Sequence, residues 1–165
     1  MFNFFKKQNR NIYLDYAAAT PVREEVIKEM QYSFFFFANP GSIHKDGLLA
    51  KKKLAEMRQE VARSLRSRAD EIVFTATGTE SDNLAIRGAV MAFIEKKGDQ
   101  KPHILTSKVE HAGVLEVCKA LEKEGLAQVS YIGVSSSGTL DMKSLKEALK
   151  ENTALVSFIH ANNEI

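Results

Sequence analysis

His103-Ile104-Leu105-Thr106-Ser107, then His111 to Gly125, then Gln128-Val129-Ser130-Tyr131-Ile132-Gly133 decide the fold. The first and third are short apolar runs of strand length. The middle segment carries Val114, Leu115, Cys118 and Leu121 near helical spacing and closes on Gly125, where helices tend to stop. Strand, helix and strand in that order imply a crossover and parallel pairing. Working outward, Glu71 to Thr75, with Ile72, Val73 and Phe74, reads as an earlier strand, and Thr79 to Lys97 as a helix. On the other side come a turn at Ser135 to Gly138, a helix at Ser144 to Glu151 and a fourth strand at Ala154 to His160. The fold class is therefore α/β, a mostly parallel sheet with flanking helices. The chain shows no internal repeat, low-complexity tract or domain linker.

Ahead of this rhythm lies a different stretch. Asn11 to Pro21 reads as an extended arm, and Val22 to Ser33 as a helix with Val26, Ile27 and Met30 on one face. Asn39-Pro40-Gly41-Ser42 is a turn. Ile43 to Leu65 is the longest helical pattern, with Leu48, Leu49, Leu54, Met57, Val61 and Leu65 recurring. Lys51-Lys52-Lys53 reads as its solvated side. Phe34 to Phe37 is the most hydrophobic window, read as core burial plus a partner face. The division expected from sequence is 1–40 as an N-terminal arm and short helix, and 41–165 as the α/β domain.

Composition excludes several classes. The chain is 165 residues long, 44% hydrophobic and 27% charged, enough to build a core and unlike a disordered tail. Its 23 basic and 21 acidic residues leave a net charge of +2, so no general attraction to nucleic acid or an acidic membrane is expected. Met1 to Phe5 is apolar, but Lys6 and Lys7 break it before it reaches secretory-signal length. The single cysteine, Cys118, forms no internal disulfide and fits a reducing, cytoplasmic setting. It sits mid-helix among apolar neighbours and reads as packing. His44, His103 and His160 have no spacing that favours a metal. The fourth strand is followed only by Ala161-Asn162-Asn163-Glu164-Ile165. Parallel strands are normally covered on both faces, so the expectation is a sequence cut partway through a larger domain.

In open α/β sheets, ligands bind beyond the carboxyl ends of the strands. Three polar segments follow strands there: Ala76-Thr77-Gly78-Thr79-Glu80-Ser81-Asp82-Asn83, Lys108-Val109-Glu110-His111, and Asn162-Asn163-Glu164. Thr77 to Asn83 opens a helix and offers backbone N–H groups suited to a phosphate. Equally, Thr77 with Glu80 three residues on is a capping box that satisfies N–H groups without a ligand. His111 at a helix start is suited to stacking on a flat ring or moving protons, or is a plain surface histidine. Asn162-Asn163 either supplies an amide to a ligand oxygen or shapes a turn.

Taken together, several longer motifs resemble the amino-terminal part of a cysteine desulfurase, a pyridoxal-phosphate (PLP) enzyme of the class V aminotransferase group. They are Ile12-Tyr13-Leu14-Asp15-Tyr16-Ala17-Ala18-Ala19-Thr20-Pro21, Asn39-Pro40-Gly41-Ser42-Ile43-His44, Glu71-Ile72-Val73-Phe74-Thr75, Gly78 to Ile86, Thr106 to His111, and His160-Ala161-Asn162-Asn163-Glu164. The resemblance implies part of the large domain of an aspartate-aminotransferase-like PLP transferase. It implies that Gly78 and Thr79 hold the PLP phosphate, that His111 stacks on the pyridine ring, and that Asn163 hydrogen-bonds the ring's phenolic oxygen. The family's Ser-Gly-Ala-Thr-Glu stands here as Ala76-Thr77-Gly78-Thr79-Glu80, with the glycine displaced by one.

The lysine that anchors PLP, the acid that pairs with the ring nitrogen and the nucleophilic cysteine all lie, in that family, beyond this stretch. No catalytic residue is therefore assigned within the chain. Ser42-Ile43-His44-Lys45 superficially resembles the anchoring motif but precedes the first sheet strand, and Cys118 is not the family's nucleophile. The resemblance implies a homodimer that converts L-cysteine to L-alanine and an enzyme persulfide. The sulfur then goes to an acceptor protein, such as an iron–sulfur scaffold, or to tRNA thiolation. For the chain alone, the expectation is weak PLP binding and no cysteine turnover. Alternatives are a selenocysteine lyase or another class V aminotransferase, a non-catalytic partner-binding remnant, and a nucleotide-binding α/β domain.

Overall fold

A computed structural model describes residues 12–98 and 100–165. The apolar start at Met1 to Phe5, Lys6, Lys7 and the first arm residue Asn11 lie outside the described residues. The chain divides into two compact units between Phe74 and Thr75.

The first unit contains α1 (Glu24–Ser33) and α2 (Lys45–Ser64). His44 caps α2, its Nδ1 accepting the Gly47 N–H at 3.3 Å. The Asn39–Ser42 turn closes with Ser42 N–H donating to the Asn39 carbonyl at 3.0 Å. It packs so tightly on α2 that a Cβ at Gly47 would stand 2.6 Å from the Ser42 carbonyl oxygen. Two apolar expectations are corrected here. Of the four phenylalanines, Phe34, Phe35 and Phe37 are exposed, and only Phe36 is partly covered, edge-on to Tyr32 with the Lys53 amine over its ring. The residues α2 buries are small, Gly47, Ala50 and Ala62, while Leu48, Leu49, Leu54 and Met57 stay exposed. Of Lys51-Lys52-Lys53, the first two are exposed, and Lys52 and Lys53 pair with Glu56.

The expected strand at Glu71 to Thr75 is not formed. Ala69–Glu71 is a 3-10 turn, and Ile72 to Thr75 pairs with no strand among the described residues. The segment is held by Arg58 of α2 instead. The Arg58 guanidinium donates to the Ile72 carbonyl and stacks over the Phe74 ring, 4.7 Å from its centroid. Val73 and Phe74 are left exposed.

The second unit carries the alternation. Its elements are α3 (Gly78–Lys97), β1 (His103–Ser107), α4 (Ala112–Lys123), β2 (Gln128–Ile132), α5 (Met142–Ala148) and β3 (Thr153–Ser157). The sheet is parallel throughout, in the order β2-β1-β3. Central β1 is buried at all five positions, as a strand flanked on both edges and both faces must be. Ile86 and Val90 of α3, Ile104 of β1, Val114, Val117, Cys118 and Leu121 of α4, and Ala127 form one apolar cluster. The other side of β1 carries a polar tie. His103 Nδ1 lies 3.0 Å from Thr153 Oγ1 and its Nε2 lies 2.9 Å from Ser130 Oγ, so one ring joins all three strands. Gly125 follows α4 at φ 76°, and Gly138 N–H closes the Ser135–Gly138 turn on the Ser135 carbonyl at 3.0 Å.

Candidate functional site

The carboxyl ends of β1 and β3 open on the same side, because the two strands are parallel. The Lys108–His111 loop leaves β1, and Phe158 to Ile165 leaves β3. Two of the three polar segments therefore meet at one sheet edge, as expected. The third is not carried by a strand; it arrives as the start of α3, packed against α4.

Thr77 caps α3, its Oγ1 accepting the Glu80 N–H at 3.1 Å. Glu80 reaches back and accepts the Ala76 N–H at 2.7 Å. Thr77 caps the helix as expected, but the Glu80 carboxylate closes on the Ala76 N–H and not on that of Thr77, so the reciprocal capping box is not formed. The N–H groups of Gly78 and Thr79 belong to the first turn, where no intrahelical acceptor exists. A Cβ at Gly78 would meet nothing within 4 Å, and its φ is not positive. Neither packing nor backbone strain calls for glycine there, while the space in front of it is open to a ligand.

His111 caps α4. Its Nδ1 accepts the Gly113 N–H at 3.0 Å, which puts the proton of the neutral ring on Nε2. The two helix starts are drawn together by Gly113. A Cβ there would stand 3.0 Å from Asp82 Oδ2, 3.2 Å from His111 Nδ1 and 3.5 Å from Thr79 Oγ1. A side chain at Gly113 would push the α3 start or the His111 ring back by a few tenths of an ångström.

Two cavities share His111. One, about 400 Å³, is lined by Thr79, Asn83, Arg87, His111 and Gly113 among others. The other, about 430 Å³, is lined by Lys108, Glu110, His111, Asn162, Asn163 and their neighbours. The structure thus brings Thr79 to His111 and His111 to Asn163, but puts Thr79 and Asn163 in separate cavities. Gly78 lines neither.

Asn162 and Asn163 are placed differently. Asn162 shapes the turn, its Oδ1 accepting the N–H groups of Glu164 at 2.7 Å and Ile165 at 3.1 Å. Asn163 is exposed at the cavity wall. Sequence reasoning missed Glu110. It is only 8% exposed, and its Oε1 accepts the Ser107 hydroxyl at 2.6 Å and the Ile159 N–H at 2.9 Å. A glutamate in a polar loop carries no burial signal; the only hint was its place at the end of a strand that must be covered.

Cys118 is fully buried, and burial pushes its thiol up to about 11, so it stays protonated and unreactive at neutral pH. Among the described residues, no group of three or more His, Cys, Asp or Glu is placed to hold a metal. No helix there is long and apolar enough to cross a membrane.

The sequence is similar to known proteins over nearly all its length. A cysteine desulfurase IscS of Dictyoglomus turgidum is 46% identical over 157 residues, covering 94% of this chain and 39% of the relative. The putative cysteine desulfurase IscS 1 of Bacillus subtilis is 41% identical over 155 residues, covering 93% of this chain and 40% of the relative. Among solved structures, a NifS-like protein superposes with a TM-score of 0.84 at 35% identity, over 93% of this chain and 41% of that one. A structure of SspA in complex with cysteine gives 0.80 at 37% identity, over 93% and 43%. The chain therefore spans about two-fifths of the length of the proteins it matches. These likenesses agree with the match of the class-V aminotransferase model to residues 12–165, and the chain belongs to that family.

Proposed function

We propose that this chain supplies the phosphate-binding helix start and one face of the ring pocket of a PLP-dependent cysteine desulfurase. The observation that carries the reading is the position of His111, which lines both the cavity it shares with Thr79 and the one it shares with Asn163. The open space before Gly78 and its free N–H fit a phosphate at one end of a flat ring. In this reading the N–H groups of Gly78 and Thr79 and the Thr79 hydroxyl bind the phosphate. The His111 imidazole packs on the ring and holds a transferable proton at Nε2. The Asn163 amide donates to the ring's phenolic oxygen. When bound, PLP supplies the electron sink for the chemistry at the amino acid carbon.

The remaining parts of the activity are proposed on the likeness to the desulfurases. The anchoring lysine, the acid paired with the ring nitrogen and the nucleophilic cysteine are supplied by residues other than those of this chain. The substrate is L-cysteine, the products are L-alanine and a persulfide, and the sulfur acceptor is a protein such as an iron–sulfur scaffold. The complete enzyme is a cytoplasmic homodimer that engages neither nucleic acid nor membrane directly. In the domain layout we propose, 1–40 is an arm and 41–165 an incomplete PLP-binding large domain.

The test is a titration of the chain with PLP, pyridoxal and ATP, followed by ligand fluorescence, beside an assay for alanine from cysteine. Weak PLP binding is expected, weaker still for pyridoxal, lost in His111→Ala and reduced in Thr79→Ala, with no alanine formed. PLP binding indifferent to both substitutions would overturn the site. ATP displacing PLP would favour a nucleotide-binding domain, and alanine formed by the chain alone would overturn the division of the chemistry.

A further inference from the structure

The cavity shared by His111 and Asn163 is walled by two segments that are far apart in sequence. One leaves β1 and the other leaves β3. Two side chains join them. Glu110, buried beside His111, takes the Ser107 hydroxyl at 2.6 Å from its own strand end and the Ile159 N–H at 2.9 Å from the far segment. Asn162, beside Asn163, sends its Nδ2 the other way, to the Val109 carbonyl at 2.7 Å. Its Oδ1 meanwhile accepts the Glu164 and Ile165 N–H groups. Each tie runs from the residue next to one wall residue to the backbone of the opposite segment.

From this reciprocal arrangement we infer that Glu110 and Asn162 are positioning residues, a clasp that fixes His111 and Asn163 at their spacing across the cavity. The inference rests on the proposed function for the identity of the ligand, but not for the clasp. The chemistry suits the task. Glu110 uses one oxygen for two donors, one of them a backbone N–H at a strand end that would otherwise be unpaired. Removing it leaves the buried Ser107 hydroxyl and the part-buried Ile159 N–H without this acceptor and frees the β3 exit. A glutamine keeps an acceptor oxygen of the same reach and gives up only the charge. The clasp acts on the α4 cap as well, since Glu110 directly precedes His111, whose Nδ1 holds Gly113.

The experiment uses the full chain with 13C-labelled histidine and compares wild type, Glu110→Gln, Glu110→Ala and Asn162→Ala. His103, buried in the sheet away from the clasp, reports folding through its ring resonance. Without ligand, amide exchange at Ile159 is expected to rise about tenfold in Glu110→Ala and to return near wild type in Glu110→Gln, the measure of one lost hydrogen bond to a carboxylate. With PLP as the probe, the His111 ring resonance should shift in wild type and Glu110→Gln. It should shift only at about tenfold higher PLP in Glu110→Ala and Asn162→Ala, with His103 unmoved. A purely structural role would move both histidines or neither. Unchanged Ile159 exchange in Glu110→Ala overturns the clasp whatever PLP does. Equal PLP response in all four proteins, with faster Ile159 exchange, overturns its positioning role. If wild-type His111 does not respond to PLP, the proposed function fails, and the exchange comparison still decides the clasp.

Discussion

Two glycines in helices of the second unit allow packing and propensity to be separated. Gly88 lies within α3, exposed, and a Cβ there meets nothing within 4 Å. Gly88→Ala should therefore stabilise by about 0.5–1 kcal/mol from helix propensity alone. Gly113 lies in the first turn of α4, buried, where a Cβ would press on Asp82 Oδ2 at 3.0 Å and His111 Nδ1 at 3.2 Å. Asp82 can swing its carboxylate aside. His111 moving by a few tenths of an ångström would stretch the hydrogen bond it accepts from the Gly113 N–H at 3.0 Å, the side-chain cap of α4. Overpacking of this kind costs roughly 1–3 kcal/mol, and the first-turn position gains less propensity. Gly113→Ala should be destabilised by about 1 kcal/mol, leaving the two alanine variants about 2 kcal/mol apart. For a unit of this size that is a difference in Tm of roughly 8–16 °C. The assay is urea and thermal unfolding followed through the His103 ring resonance, which belongs to the same unit. PLP affinity should fall in Gly113→Ala and hold in Gly88→Ala. Equal stabilisation by both substitutions would refute the argument that the α3 and α4 starts are in contact.

His103 should set an acid limit on the second unit. Burial, with Lys150 nearby, lowers its pKa from the ordinary 6.5, so the folded state favours the neutral ring. Below about pH 6.5 the unfolded chain binds the extra proton, and stability falls as the pH drops toward the folded-state pKa. Stability measured from pH 8 to pH 5 should decline in wild type and lose that part of its slope in His103→Gln; an unchanged slope would show that His103 does not titrate on unfolding. Cys118 should react with iodoacetamide at pH 7.5 only in denaturant, given its thiol near 11 and its full burial. Rapid labelling of the native chain would contradict the α4 packing.

The parts legible in the sequence were those set by periodicity. The segments at His103, Gln128 and Thr153 pair as parallel strands because apolar runs with helices between them have one good way to bury both faces. Glu71 to Thr75 has the same pattern yet pairs with no strand among the described residues, and Arg58 holds its Ile72 carbonyl and Phe74 ring. That contact links residues fourteen apart, which local pattern does not encode. Thr77 and His111 were recognisable as helix starts because caps are local. What they do together was not, because it depends on Gly113 admitting α3, a fact of packing. The burial of Glu110 and the link from Asn162 to Val109 were hidden for the opposite reason. Their residue types suggest solvent and turns, and only the meeting of β1 and β3 exits turns them inward.

The account's central claim is that one flat, phosphate-bearing ring spans the α3 start and the His111 wall. A crystal structure of the chain grown with PLP tests it most directly. The account predicts the phosphate on the N–H groups of Gly78 and Thr79, the ring against the His111 imidazole and its phenolic oxygen at the Asn163 amide. PLP bound elsewhere, or with its phosphate away from the α3 start, would contradict it.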